Sequence, residues 1–139
     1  MNKLFVAAAL AASTYALEAD CCELYTEENF GGIMEEACLR KNWFNEYLES
    51  FAYSFVTTGQ EDEMNDAISS YRCGSLVRAD FCLGEPLKYR DLDNLTQFKC
   101  NKLAFSTDES GKEDAGPMEW MNLVSSIVLY KGGVVANDC

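Results

Sequence analysis

The chain has no histidine anywhere in its 139 residues. That removes the commonest general base, and with it the Ser-His and Cys-His nucleophile pairs. No two cysteines stand in a Cys-x-x-Cys pair. Without that pair, and without histidine, neither a structural zinc site nor a redox-active dithiol has its usual ligands. Gly-x-Ser-x-Gly and phosphate-cradling glycine loops are also missing. Positive charge is scarce: 11 Lys and Arg stand against 23 Asp and Glu, for a formal net charge of −12. Such a balance repels nucleic acid and anionic membrane, so neither is an expected partner. Carboxylates are so plentiful that no two stand out as a glycosidase pair. The expectation is a protein that is not an enzyme.

Long apolar runs are missing too, apart from one at the N-terminus. Met1-Asn2-Lys3 is positively charged, Leu4 to Ala12 is apolar, and Ser13-Thr-Tyr-Ala16 offers small residues at a cut. Residues 1–16 read as a cleaved signal peptide, since a membrane span takes about 20 apolar residues. The mature chain, 17–139, holds all seven cysteines: Cys21, Cys22, Cys38, Cys73, Cys82, Cys100 and Cys139. A secreted or secretory-granule location would let most of them pair. Seven is odd, so one thiol is left free or bonded to another chain. Cys139 and the adjacent Cys21-Cys22 are the candidates. The expected compartment is oxidising, and self-association through an inter-chain disulfide is an expected partner mode.

The informative stretch is Leu24-Tyr-Thr-Glu-Glu-Asn-Phe-Gly-Gly32. A strand runs into a folded-over hairpin in which Tyr25 lies across the turn, Phe30 packs beneath it and Gly32 supplies a shape that a Cβ would hinder. Further on, Asn65-Asp-Ala-Ile-Ser-Ser70 is a polar loop entering a strand. Phe51, Tyr53 and Phe55 alternate with smaller residues, the period of a half-buried strand. The pattern then recurs. Leu76-Val-Arg-Ala-Asp-Phe-Cys-Leu-Gly84 lays over Leu24 to Gly32, putting Asp80 at the Glu28 position. Met121-Asn-Leu-Val-Ser-Ser126 lays over Asn65 to Ser70. On this alignment the second copy is longer by four residues. The surplus is expected in the polar segment Ser106 to Pro117, which has the composition of a loop. Two similar halves of short strands predict an all-β, two-sheet β-sandwich of two Greek-key motifs, the first about 21–74 and the second about 75–135. The expected core includes Phe30, Trp43, Phe51, Phe55, Trp120 and Leu129.

The aromatic hairpin and the Asn-Asp-x-x-Ser-Ser loop together resemble the βγ-crystallin motif. In that family, the hairpin and the loop belong to one Greek key. Calcium takes six to eight hard oxygens in a flexible shell. Asn65, Asp66 and Ser69 supply a carbonyl, a carboxylate and a hydroxyl from one turn, and Glu27 and Glu28 can close the site. In the second half Asn122, Ser125 and Asp80 take the corresponding positions. The resemblance implies two calcium sites, each built from a hairpin of one key and polar loops of both; which carboxylate crosses to which site stays open. Met121 replaces the first Asn/Asp, so the second site is expected to be the weaker. The same Asn, Asp and Ser residues also serve as plain turn caps. The expected function is that of a calcium-binding, non-enzymatic structural protein of a secreted or secretory-granule matrix. The alternative is a secreted recognition module, binding glycan or protein as a toxin or defence factor. Asn94-Leu-Thr96 is an N-glycosylation acceptor sequence and marks an exposed loop.

Overall fold

The computed structural model describes residues 17–57, 60–61, 64–117 and 123–132. The proposed leader, Trp120, Asn122 and Cys139 lie outside these. Among the described residues twelve strands follow one another: β1 Cys21–Glu27, β2 Gly31–Cys38, β3 Ser50–Ser54, β4 Val56–Thr57, β5 Gln60–Glu61, β6 Ser70–Cys73, β7 Val77–Cys82, β8 Pro86–Arg90, β9 Thr96–Cys100, β10 Leu103–Ser106, β11 Glu113–Asp114 and β12 Ser126–Lys131. One four-stranded antiparallel sheet has the order β11-β6-β1-β2, the other β10-β7-β12-β3.

The two orders are the same pattern twice. In each sheet the first and last long strands of one key lie side by side (β6 with β1, β12 with β7), a hairpin neighbour flanks one edge, and the third strand of the other key closes the opposite edge. β3 belongs to the first half of the chain but pairs with β12; β11 belongs to the second half but pairs with β6. Each key therefore lends a strand to the other's sheet. Neither sheet is complete without both halves.

Period-two alternation decides what lies between the sheets. Cys22 and Leu24 from β1, Val77, Ala79 and Phe81 from β7, and Ile127 and Leu129 from β12 form one buried cluster with Phe55, Met64, Ile68 and Tyr71. Of the expected core residues, Phe55 and Leu129 are buried and Phe30 and Phe51 half-buried. Trp43 is not in the core at all: it is 92% exposed.

The second half departs from the first after β7. Where β1 turns tightly into β2, β7 is followed by an inserted hairpin, β8–β9, before β10 returns to the sheet. The insertion folds over the outer face of β7 and β12 and makes a small second core of Cys82, Val128 and Tyr130 with Ala52, Phe98 and Cys100. All six residues of β7 are buried in consequence. Ser50 donates to Gln97 Oε1 at 2.7 Å and accepts from the Phe98 amide at 2.9 Å, pinning β9 to β3.

Among the described residues three disulfides staple this frame: Cys21–Cys38, Cys22–Cys73 and Cys82–Cys100. Neighbours on a strand point to opposite faces. Cys21 therefore meets its register partner Cys38 on β2, and Cys22 meets its own on β6. The adjacent pair is thus not the leftover thiol that the odd count left open. Cys82–Cys100 ties the inserted hairpin to β7.

Candidate functional site

The folded-over turn between β1 and β2 is built from local chemistry. Asn29 and Phe30 take positive φ, 57° and 60°. Gly32 does so at 77°, and a Cβ there would run into Thr26 Oγ1. Thr26 Oγ1 accepts the Ile33 amide at 2.8 Å. The rings of Tyr25 and Phe30 meet edge-on, 5.7 Å between centroids, with the Arg72 guanidinium 4.9 Å above Phe30. Arg72 also pairs with the buried Glu23 at 3.2 Å, and Glu23 accepts from the Tyr25 hydroxyl at 2.5 Å. Burial first, and Glu23 second, push the Tyr25 phenol above its ordinary value.

Ser70 fastens this turn to β6. Its hydroxyl donates to the Glu27 carbonyl at 2.6 Å and accepts from the Phe30 amide at 3.0 Å. The preceding Ser69 amide donates to the Tyr25 carbonyl at 2.8 Å. The other half repeats the device. Ser126 Oγ donates to the Gly84 carbonyl at 2.6 Å, and the Ser125 amide donates to the Cys82 carbonyl at 3.0 Å.

These equivalences correct the alignment of the second hairpin. Tyr25 lies opposite Ser70, and Cys82 lies opposite Ser126. Cys82, not Val77, therefore stands in the place of Tyr25, and Glu85 rather than Asp80 stands in the place of Glu28. Asp80 is in mid-strand opposite Val128, buried, and paired with Arg78 at 3.0 Å. It is not in the turn. The four-residue surplus of the second copy disappears with this register. The segment assigned to it carries β11, the strand that crosses to the other sheet. Sequence reading missed Glu85. The signal was present in the two serine pairs, which fix the register from the C-terminal side of each key.

The remaining polar residues divide between two turns at one end of the sandwich. Ser69 sits by the first turn, together with Glu27 and Glu28. The Asn29 amide donates to the Ala115 carbonyl at 2.8 Å. Gly116 passes so near Ser69 that a Cβ there would overlap its carbonyl, and the same Cβ would lie 3.9 Å from Glu28 Cγ. Asp66 goes the other way. Its amide donates to the Val124 carbonyl at 2.9 Å, which sets it against the loop that carries Ser125. Phe55 donates to the Ser125 carbonyl at 2.8 Å, and Glu85 accepts from Ser54 Oγ at 2.9 Å. Asn65 Nδ2 lies 3.5 Å from Asp66 Oδ2. Although Asp66 and Ser69 are neighbours in one short loop, the fold sends them towards different hairpins. Glu27, Glu28, Asp66 and Glu85 are exposed.

This architecture, with an aromatic folded turn, a serine latch in each half and strands exchanged between sheets, is distinctive. The fold is βγ-crystallin-like. The chain is similar in structure to Hahellin, a beta-gamma crystallin determined by NMR, at 16% identity and a TM-score of 0.43, covering 85% of this chain and 99% of that one. No family model and no curated protein matches the sequence. With so distant a likeness, the βγ-crystallin-like assignment stands on strand order, register and the repeated latches.

Two groups of metal-ligating type occur elsewhere among the described residues: Cys21, Glu36 and Cys38, and Glu18, Asp20 and Cys21, each with ligand atoms within 4.8 Å of one another. Both include sulfur locked in the Cys21–Cys38 disulfide, which leaves no thiolate to bind a metal. They lie at the end of β1 away from the folded turn. Among the described residues, no helix is long and apolar enough to cross a membrane.

Proposed function

We propose that the protein is a secreted, calcium-binding structural protein without enzymatic activity, acting in an extracellular or granule matrix. The observation that carries this reading is the crossing of Asp66 to the Val124–Ser125 loop. On this reading the ligands would be the Asp66 and Glu85 carboxylates, the Ser125 hydroxyl and nearby backbone carbonyls, all hard oxygens of the kind calcium takes. The opposite turn offers Ser69 with the carbonyls and carboxylates of Glu27 and Glu28. Asn122 aligns with Asp66 in the sequence and completes that set in the proposal. The two sets differ in kind: the first has the Asp66 carboxylate where the second has the neutral Asn122, and the second has Glu27 where the first has Gly84. Glu85 replaces Asp80 in the proposed ligand set.

The remaining features suit that role. Three disulfides agree with an oxidising compartment, and the net charge of −12 favours a life among divalent cations. A calorimetric titration of the oxidised mature chain tests the reading. Calcium binding should give heat and a higher melting temperature, by mass action on the native state. Light scattering should show association as calcium is added. Absence of both heat and thermal stabilisation at millimolar calcium would overturn the calcium reading; heat without association would leave a calcium-binding domain and remove the matrix role.

A further inference from the structure

The end of the sandwich away from the serine latches carries two five-residue turns of the same construction. In 42–46, the Asn42 amide donates to the Glu46 carbonyl at 2.7 Å and the Asn45 amide to the Asn42 carbonyl at 2.9 Å. Asn42 Oδ1 accepts the amides of Phe44 and Glu46. In 91–95, the Asp91 amide donates to the Leu95 carbonyl at 3.0 Å and the Asn94 amide to the Asp91 carbonyl at 2.9 Å. Asp91 Oδ1 accepts the amides of Asp93 and Leu95. Asn45 and Asn94 both take positive φ, 64° and 62°. At the second position of each turn stands a large apolar residue held out into water: Trp43, 92% exposed, and Leu92, fully exposed. Phe44 beside Trp43 is 76% exposed.

The two turns are tied together at their bases. Buried Gln97 donates from Nε2 to Glu49 at 3.2 Å and to Asp91 at 3.0 Å. Rigid presentation of large apolar side chains to solvent is the informative case of surface hydrophobicity, unlike a single exposed leucine.

We propose that this end is a docking surface for a zwitterionic phosphatidylcholine bilayer, with Trp43, Phe44 and Leu92 entering the interface. Three features choose this occupant. The amides of 42, 44–46, 91 and 93–95 find acceptors within their own turns, so these groups lose no partner on entering a medium of low polarity. Two separate convex tips suit a fluid surface, where tryptophan is at home in the headgroup layer. Charge settles the lipid: a chain at −12 is repelled by anionic headgroups. By contrast, the exposed carboxylates of Glu46 and Asp93 and the indole face of Trp43 suit a choline cation. The surface is remote from the calcium turns, and docking is independent of the calcium reading.

The test is co-sedimentation of the oxidised mature chain, made in a host without N-glycosylation, with phosphatidylcholine vesicles. Binding is expected equally in calcium and in EDTA, and to weaken as phosphatidylserine is added. Brominated phosphatidylcholine should quench tryptophan fluorescence. The double substitution W43A/F44A should lower partitioning at least tenfold and leave the melting temperature unchanged, because both rings already sit in water. No sedimentation with phosphatidylcholine, undiminished binding by the double variant, or binding that needs anionic lipid would overturn the proposal. So would an effect of W43A/F44A confined to self-association, which would make the occupant a second copy of the chain.

Discussion

Ser70 does more than its size suggests. One fully buried hydroxyl satisfies both the Glu27 carbonyl and the Phe30 amide, so the folded turn is held from β6 as well as by its own strands. Ser70→Ala leaves two backbone groups without that partner and should cost about 1–3 kcal/mol in denaturant unfolding. Glu36 gives the opposite kind of test. Burial, then Glu18, Glu23 and Asp20, raise its carboxyl above the ordinary 4.5. A raised carboxyl is most compatible with the fold below its ordinary value, and that contribution is lost as pH rises through the raised one. Glu36→Gln should therefore raise the melting temperature at pH 7 and bring no gain below pH 4.5. An equal gain at both pH values would mean that ionisation is not the cause. Tyr71, pushed up to about 12 by burial and by Asp114, should be among the last phenols to ionise in an alkaline absorbance titration.

At the scale of elements, the two hairpins show what could be read in the residues and what could not. The first hairpin was legible because Tyr25, Phe30 and Gly32 each answer a local steric demand. Serines at 69–70 and 125–126 also align in the sequence as they do in the fold. The second hairpin was misaligned because β8–β9 covers the outer face of β7: all six of its residues are buried, so no apolar–polar alternation marks one face from the other. Val77 and Cys82 are an odd number of positions apart, and an odd slip moves every side chain to the other face. That is how a buried, Arg78-paired Asp80 came to resemble a turn carboxylate, and how Glu85 was overlooked. Trp43 was misplaced for a different reason: aromatic content suggests burial, whereas the Asn42-centred turn holds the ring outward. The inserted hairpin should be the element most dependent on its staple. Replacing Cys82 and Cys100 together by alanine should cost about 2–4 kcal/mol, with the loss seen first as hydrogen exchange in β8 and β9.

Across the whole molecule, the exchange of β3 and β11 makes each half a structural part of the other. The same exchange of chain between halves separates Asp66 from Ser69 and assigns them to different turns. Equilibrium dialysis of calcium with single and paired substitutions measures this directly. The unsubstituted chain should bind two ions. Asp66→Ala and Ser69→Ala should each lose one, the pair D66A/S125A should still lose one only, and D66A/S69A should lose both. One ion retained by D66A/S69A, or no ion bound by the unsubstituted chain, would contradict the crossed assignment.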